Sequence, residues 1–379
     1  MEQQSDGMEK RKISLNRVQK TAAAGLLILI VVLAYALVKN NSVYTSYEVV
    51  NTLSRGDNTS VYYAIMSKGM LRYSKDGVAM TNKNGNMIWN QTYEMTSPVL
   101  ASSSQYSAIG DIGANSIYVF NEYGQIGKIT TDVPIQEIQI SEQGVIAAIL
   151  SDADCNYINL YDKQGKELGS IKASLENTGY PLAVGLSSNA TKLVVSYLCI
   201  DNGTVQTRVI FYDFGDIEED HIMATQILDG LYPKVVFLND TRAALFGETG
   251  FSMFSVNGNV SEIQSVTFED EIRSVFCSNQ KMGFVFRNQD ENGKYRMEVF
   301  DMAGKKNTTV YFDFDFEKVA ADDDEIILYN EQEVMIFLYS GRLRFQSSLN
   351  TSITGMMASW EDGMYWLIDD QSLREIRIE

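Results

Sequence analysis

The chain has 379 residues, 45% of them apolar, with 31 basic and 49 acidic side chains. A net charge of −18 sets nucleic-acid binding aside, because phosphate is repelled by such a surface. One histidine and three cysteines leave almost no material for a histidine-built zinc site, a Ser-His-Asp triad or a disulfide framework.

Residues 1–20 form a polar leader in which Lys10, Arg11, Lys12, Arg17 and Lys20 are basic. Residues 21–38, TAAAGLLILIVVLAYALV, carry no charge. As a helix this run spans about 27 Å, enough for one membrane crossing. Only Lys39 is basic just beyond it, so the positive-inside rule places the N-terminus in the cytoplasm and the rest outside. The expectation is a single crossing by an uncleaved signal-anchor helix. A cleaved signal peptide is the competing expectation, since Ala34-Tyr35-Ala36 fits a small-x-small cleavage site. Residues 39–46 are a short linker that reaches at most roughly 28 Å. They would hold an extracytoplasmic domain, 47–379, close to the bilayer. Residues 39–379 contain 26 basic and 46 acidic side chains, a net charge of −20.

Beyond residue 46 no helical period is sustained. From Pro134 the chain reads PIQEIQISEQG, VIAAILSDAD, CNYINLYDKQG, KELGSIKAS, four short apolar runs separated by Gly, Asp and Asn turns. The layout recurs from Pro181 and again from Pro233. Seven glycines, Gly85, Gly124, Gly165, Gly215, Gly258, Gly304 and Gly341, mark one turn of each unit at a mean spacing of about 43 residues. An all-strand repeat of that length is the period of a β-propeller blade. The four prolines, Pro98, Pro134, Pro181 and Pro233, all stand where a unit's first strand begins, a position that tolerates a missing N–H.

Seven turns predict eight blades. Three strands follow Gly341 without a fourth, and YEVVNTL at 47–53 has no unit of its own. If it supplies the outer strand of the last blade, both chain ends close the ring and no sheet edge is left open. A seven-bladed ring with an N-terminal appendage is the alternative.

The loops between second and third strands share a face with the connections between blades. Asp152-x-Asp154-x-Asn156, Asp201-Asn202-Gly203 and Asn288-x-Asp290-x-Asn292-Gly293 fall there. Position twelve of a calcium loop would be Lys163 or Val299, so hairpin turns are expected in place of cation sites. Tyr180 and Tyr232 sit in the two longest inter-blade connections. Asp152, Asp154, Tyr180, Tyr232 and Asp290 are therefore the candidate partner-face residues. Asp322-Asp323-Asp324-Glu325 reads as a solvated turn on the opposite face. YFDFDFE at 311–317 reads as a half-buried strand with one wet face. His221, beside Glu218, Glu219 and Asp220, begins an outer strand, far from a propeller's central cleft. Trp89, Trp360 and Trp366 read as strand residues used for packing, and Arg55-Gly56-Asp57 as the turn entering the first blade. Cys155, Cys199 and Cys277 fall in different repeats, so buried free thiols are expected, with a Cys155–Cys199 bridge as the alternative.

The basic leader, single apolar helix and all-β repeat resemble an uncharacterised family of membrane-anchored Firmicutes proteins with a quinoprotein-like or WD40-like propeller. The resemblance implies a plasma-membrane location and no established activity. Gly-His…Trp-Asp pairs, sialidase boxes and kelch double glycines are absent, and Asn84-Gly85-Asn86-Met87-Ile88-Trp89 approaches a quinoprotein docking motif only once. No catalytic residue, cofactor or metal is expected. The expectation is an interaction scaffold or sensor, anchored through residues 21–38, with a protein or cell-wall partner. The alternative is an envelope enzyme, a lyase, hydrolase or quinoprotein, working at the central channel.

Overall fold

The computed structural model describes residue 26, residues 42–55, 61–153, 155–215, 221–278, 281–288, 292–322 and 324–379. The chain divides into two compact units, Met1–Tyr44 and Thr45–Glu379. The leader and the expected membrane helix, apart from Leu26, lie outside the described residues, as do Asp154, Asp290, Asp323, Gly56-Asp57 and Glu218-Glu219-Asp220. Among the described residues no helix is long and apolar enough to cross a membrane.

The second unit is an eight-bladed β-propeller. Each blade is an antiparallel sheet of four strands. The first seven blades span 62–92, 98–130, 135–173, 180–229, 234–267, 272–312 and 318–348, with strands paired in sequence order. The eighth is built from Gly355–Ala358, Met364–Ile368 and Ser372–Ile378, and Tyr47–Ser54 pairs onto its free side. Glu379 N–H extends that ladder to Ser46 O at 2.8 Å. First strands of neighbouring blades approach one another around the centre. Second and third strands are almost wholly buried, and fourth strands alternate exposed residues with partly buried ones.

The glycine turns have a local cause. Asn82, Asp162 and Asp301 stand three residues before Gly85, Gly165 and Gly304. Each side-chain oxygen accepts the N–H groups two and four residues on, at 2.8–3.0 Å. The glycine then takes a positive φ, for example 94° at Gly165, which an L side chain rarely adopts. In all seven hairpins of this class a bulge falls opposite the end of the third strand. A type I turn followed by a left-handed residue and a bulge is a standard hairpin closure, and it fixes the register of the outer strand that follows it.

Apolar side chains fill the seams between blades. Leu71 and Met80 of the first blade meet Ile109 and Phe120 of the second. Val285 and Met297 of the sixth meet Ile326 and Met335 of the seventh. Met70 of the first meets Trp366 and Leu373 of the eighth, which completes the ring. Turns on one face add a second layer. Lys163 Nζ donates to Tyr106 OH at 2.7 Å, Lys281 lies 4.9 Å from the Tyr339 ring centroid, and Lys83 lies 5.2 Å from that of Trp360. The seam between the seventh and eighth blades has no such turn, and a polar cluster takes its place. Glu325 is buried, pairs with Arg344 and accepts the Tyr365 hydroxyl proton. Arg344 also reaches Asp362 at 2.6 Å.

Three sequence expectations are corrected. Glu325 is not part of a solvated turn but the buried first residue of Glu325–Tyr329. The strand expected over YFDFDFE ends at Phe312. Beyond it Phe314 is buried and Phe316 packs edge-on to Tyr295 at 5.1 Å, so the alternation comes from a loop folded back on its own blade. Trp360 lies in a turn, donating its indole N–H to Met66 O at 2.8 Å, whereas Trp89 and Trp366 are in strands. The three cysteines are free.

Candidate partner-docking face

Second-to-third-strand loops and inter-blade connections share one face, and the fourth blade stands out on it. Its second and third strands, Lys192–Asp201 and Thr204–Asp213, have ten residues each, against five to seven for the second strands of the other blades. The first strand pairs only as far as Tyr180↔Leu198 and the fourth only as far as Asp229↔Gln206. Gly230 N–H still reaches Val205 O at 3.3 Å, and the pairs Ile200↔Val205 and Asp201↔Thr204 form the projecting end of the hairpin. Asn202 and Gly203 both take positive φ, 48° and 80°, the two-residue turn that suits strand twist. Ile200 is 70% exposed and Val205 is 41% exposed, directly opposite each other.

The connection from the third to the fourth blade borders this hairpin. Ser174 O accepts the N–H groups of Thr178 and Gly179 at 2.9 and 3.0 Å, so the segment is a self-bonded turn. Gly179 has φ 101°, and a Cβ there would sit 2.3 Å from Leu198 O, so only glycine fits. The turn presents Leu175, 70% exposed. Arg208 donates to Asn177 O and ties it to the third strand of the fourth blade.

Tyr180 shares a hydrogen bond of 3.1 Å with Ser151, the residue before exposed Asp152. Tyr180 thus bonds to the residue preceding Asp152 at the seam of blades three and four. Tyr232 is elsewhere. Its N–H donates to Thr207 Oγ1 at 3.1 Å and its hydroxyl accepts from Ser252 at 3.4 Å. It packs within the seam of blades four and five, covering its own loop. Ile200, Val205 and Leu175 were not among the sequence candidates. The signal was present in the 50-residue Gly165–Gly215 interval, which the lengthened hairpin helps to explain. Exposed Asp152, Glu176, Asp201 and Asp229 give this region an acidic rim.

The central wall offers less chemistry. The eight first strands carry Glu137, Lys234, Arg273 and Lys318, each on a different blade. None is paired with another: Arg273 lies 3.7 Å from Glu271, and Lys318 donates to Thr354 O at 2.7 Å. Glu137 follows a bulge, accepts Val184 N–H of the fourth blade at 3.3 Å, and accepts Gln139 Nε2–H of its own strand at 3.0 Å. Burial pushes its carboxyl pKa up, partly offset by those two hydrogen bonds. Between the unfolded and folded pKa values the folded state then binds more protons, so stability falls as pH rises through that window. Glu137→Gln is expected to raise the calorimetric Tm at neutral pH by a few degrees, with the gain gone below about pH 4. A Tm that is not raised at neutral pH would show that the carboxylate is held without cost.

A family model described as a family of unknown function, DUF5711, matches residues 40–378. The chain belongs to this family. No curated protein matches the chain. Among solved structures, Sqt1 of Saccharomyces cerevisiae is similar with a TM-score of 0.59 at 12% identity, covering 88% of this chain and 100% of that one. Sqt1 of Chaetomium thermophilum, bound to the N-terminus of ribosomal protein L10, gives 0.57 at 11% identity, over 88% and 100%. BamB of Moraxella catarrhalis gives 0.51 at 12%, over 88% and 98%. At such identities the likeness is one of fold.

Proposed function

We propose that this family member is a non-catalytic scaffold or sensor of the bacterial plasma membrane. Residues 21–38 anchor it, the leader is cytoplasmic, and the propeller faces outward. Its partner is a protein segment carrying apolar side chains flanked by Lys or Arg. The projecting Ile200/Val205 pair carries this reading: two aliphatic side chains held in water on a rigid turn serve no packing need within the blade. The acidic rim of Asp152, Glu176, Asp201 and Asp229 supplies the complementary charge and would speed encounter with a basic segment. A propeller of this fold, Sqt1, is known bound to a protein terminus, which fits the same mode of use.

Photo-crosslinkers placed at Ile200 and at Tyr123, an exposed residue of a turn on the other face, test the assignment in cells. Adducts are expected from position 200, weakened by Val205→Lys, and not from position 123. Equal labelling at both positions, or none at 200, would overturn it. Protease accessibility of the propeller in intact spheroplasts tests the topology separately.

A further inference from the structure

At most seams the middle of a blade's third strand presents an apolar or small side chain to the preceding blade, such as Tyr118, Ile210 or Met335. Asn159 and Glu298 hold the same register in the third and sixth blades, and both are buried. A cavity adjoins each. That beside Glu298 has a volume of about 670 Å³, and its charges are matched internally: Glu298 meets Arg296 and Lys306 at 3.1 Å, and Arg296 meets Asp270 at 2.7 Å.

The cavity beside Asn159, about 470 Å³, lies between the fourth strand of the second blade and the outer half of the third. It falls within the size range of small-molecule sites. Asn159 and Tyr161 form a buried polar floor next to apolar Ile129 and Leu150. Thr130, Asp132, Glu167 and Ser170 form an exposed rim. Asn159 donates to Tyr161 OH at 3.0 Å and to Glu167 at 3.3 Å, and accepts from Ser170 at 2.7 Å. The Tyr161 hydroxyl accepts from Asn159 and, among the described residues, donates to none. Burial pushes its pKa up, so it keeps its proton for a ligand acceptor.

We propose that this cleft binds a saccharide unit bearing an acetamido group. Among the described residues no Lys or Arg lines it, and Asp132 and Glu167 stand at its rim, which disfavours phosphate and carboxylate ligands. An alkylammonium would satisfy the rim carboxylates but offers no acceptor to Tyr161. An acetamido sugar offers both: its carbonyl accepts the Tyr161 O–H, its N–H and hydroxyls donate to the carboxylates, and its methyl lies against Ile129 and Leu150. Burying each of these groups with a partner is what makes such recognition selective.

Calorimetric titration of the full chain in detergent with N,N′-diacetylchitobiose tests this, with cellobiose and putrescine as competing probes. Saturable binding of diacetylchitobiose is expected, weaker for cellobiose, and reduced roughly tenfold or more by Tyr161→Phe. Glu167→Gln, which removes the rim charge while keeping an acceptor for Asn159, is expected to weaken it as well. No saturable heat at millimolar sugar, binding unchanged in both variants, or putrescine binding in preference would each overturn the assignment. The docking-face variant Val205→Lys should leave this titration unchanged, so the two readings fail independently.

Discussion

Deleting residues 47–54 is expected to abolish cooperative unfolding and to drive the chain into aggregates. The strand contributes seven Cα-paired positions to the eighth blade, from Tyr47↔Ile378 to Ser54↔Ser372. At about 0.5–1.5 kcal/mol net per ladder hydrogen bond, the loss approaches the whole stability of a domain, about 5–15 kcal/mol. It also bares the edge of Ser372–Ile378, a template for pairing with other chains. Circular dichroism melts and size-exclusion chromatography check this, and a synthetic peptide spanning 45–55 should restore the monomer in part. A truncated chain that stays monomeric with an unchanged melt would show that the ring is closed by side-chain packing alone.

Arg344→Ala is the point substitution expected to cost most. Glu325 is 5% exposed, and Arg344 is its only ion-pair partner among the described residues. Removing one member of a buried pair costs about 3–5 kcal/mol, because the remaining charge has already lost its water. Replacing both, as Glu325→Met with Arg344→Met, should recover most of that loss. Urea titrations of the two variants separate the cases. If the double variant is as unstable as the single one, the cluster holds the seventh and eighth blades together by geometry and the buried charge is incidental.

The blade count was legible because turn chemistry is local. An Asn or Asp three residues before a glycine carries its own hydrogen-bond pattern, as at Asp162 and Gly165, and no distant contact is needed to read it. Pro98, Pro134, Pro181 and Pro233 likewise report where a strand begins. What stayed hidden depends on partners far along the chain. Glu325 looks solvated among three aspartates until Arg344 and Tyr365 arrive from other strands. Phe314 and Phe316 mimic a strand's alternation although no neighbour pairs with them. The local geometry around the candidate residues was only partly readable. Tyr180 bonds to Ser151, the neighbour of Asp152, but Asn202-Gly203 says only that a hairpin turns, not how far it stands out. Tyr232 shows the opposite failure, an aromatic in a long loop that is spent on that loop's own packing. The cleft at Asn159 had no sequence signal beyond a polar residue in an apolar run, since a seam exists only once two blades face each other.

The ladder between Ser46 and Glu379 joins residues 333 positions apart. A strand made early must therefore wait for its partner while the intervening seven sheets are synthesised, an interval on the order of tens of seconds. Until Ser372–Ile378 emerges, the nascent chain carries an unpaired edge strand that could capture the wrong neighbour. A ribosome that stalls before that strand leaves an open arc with a bare sheet edge.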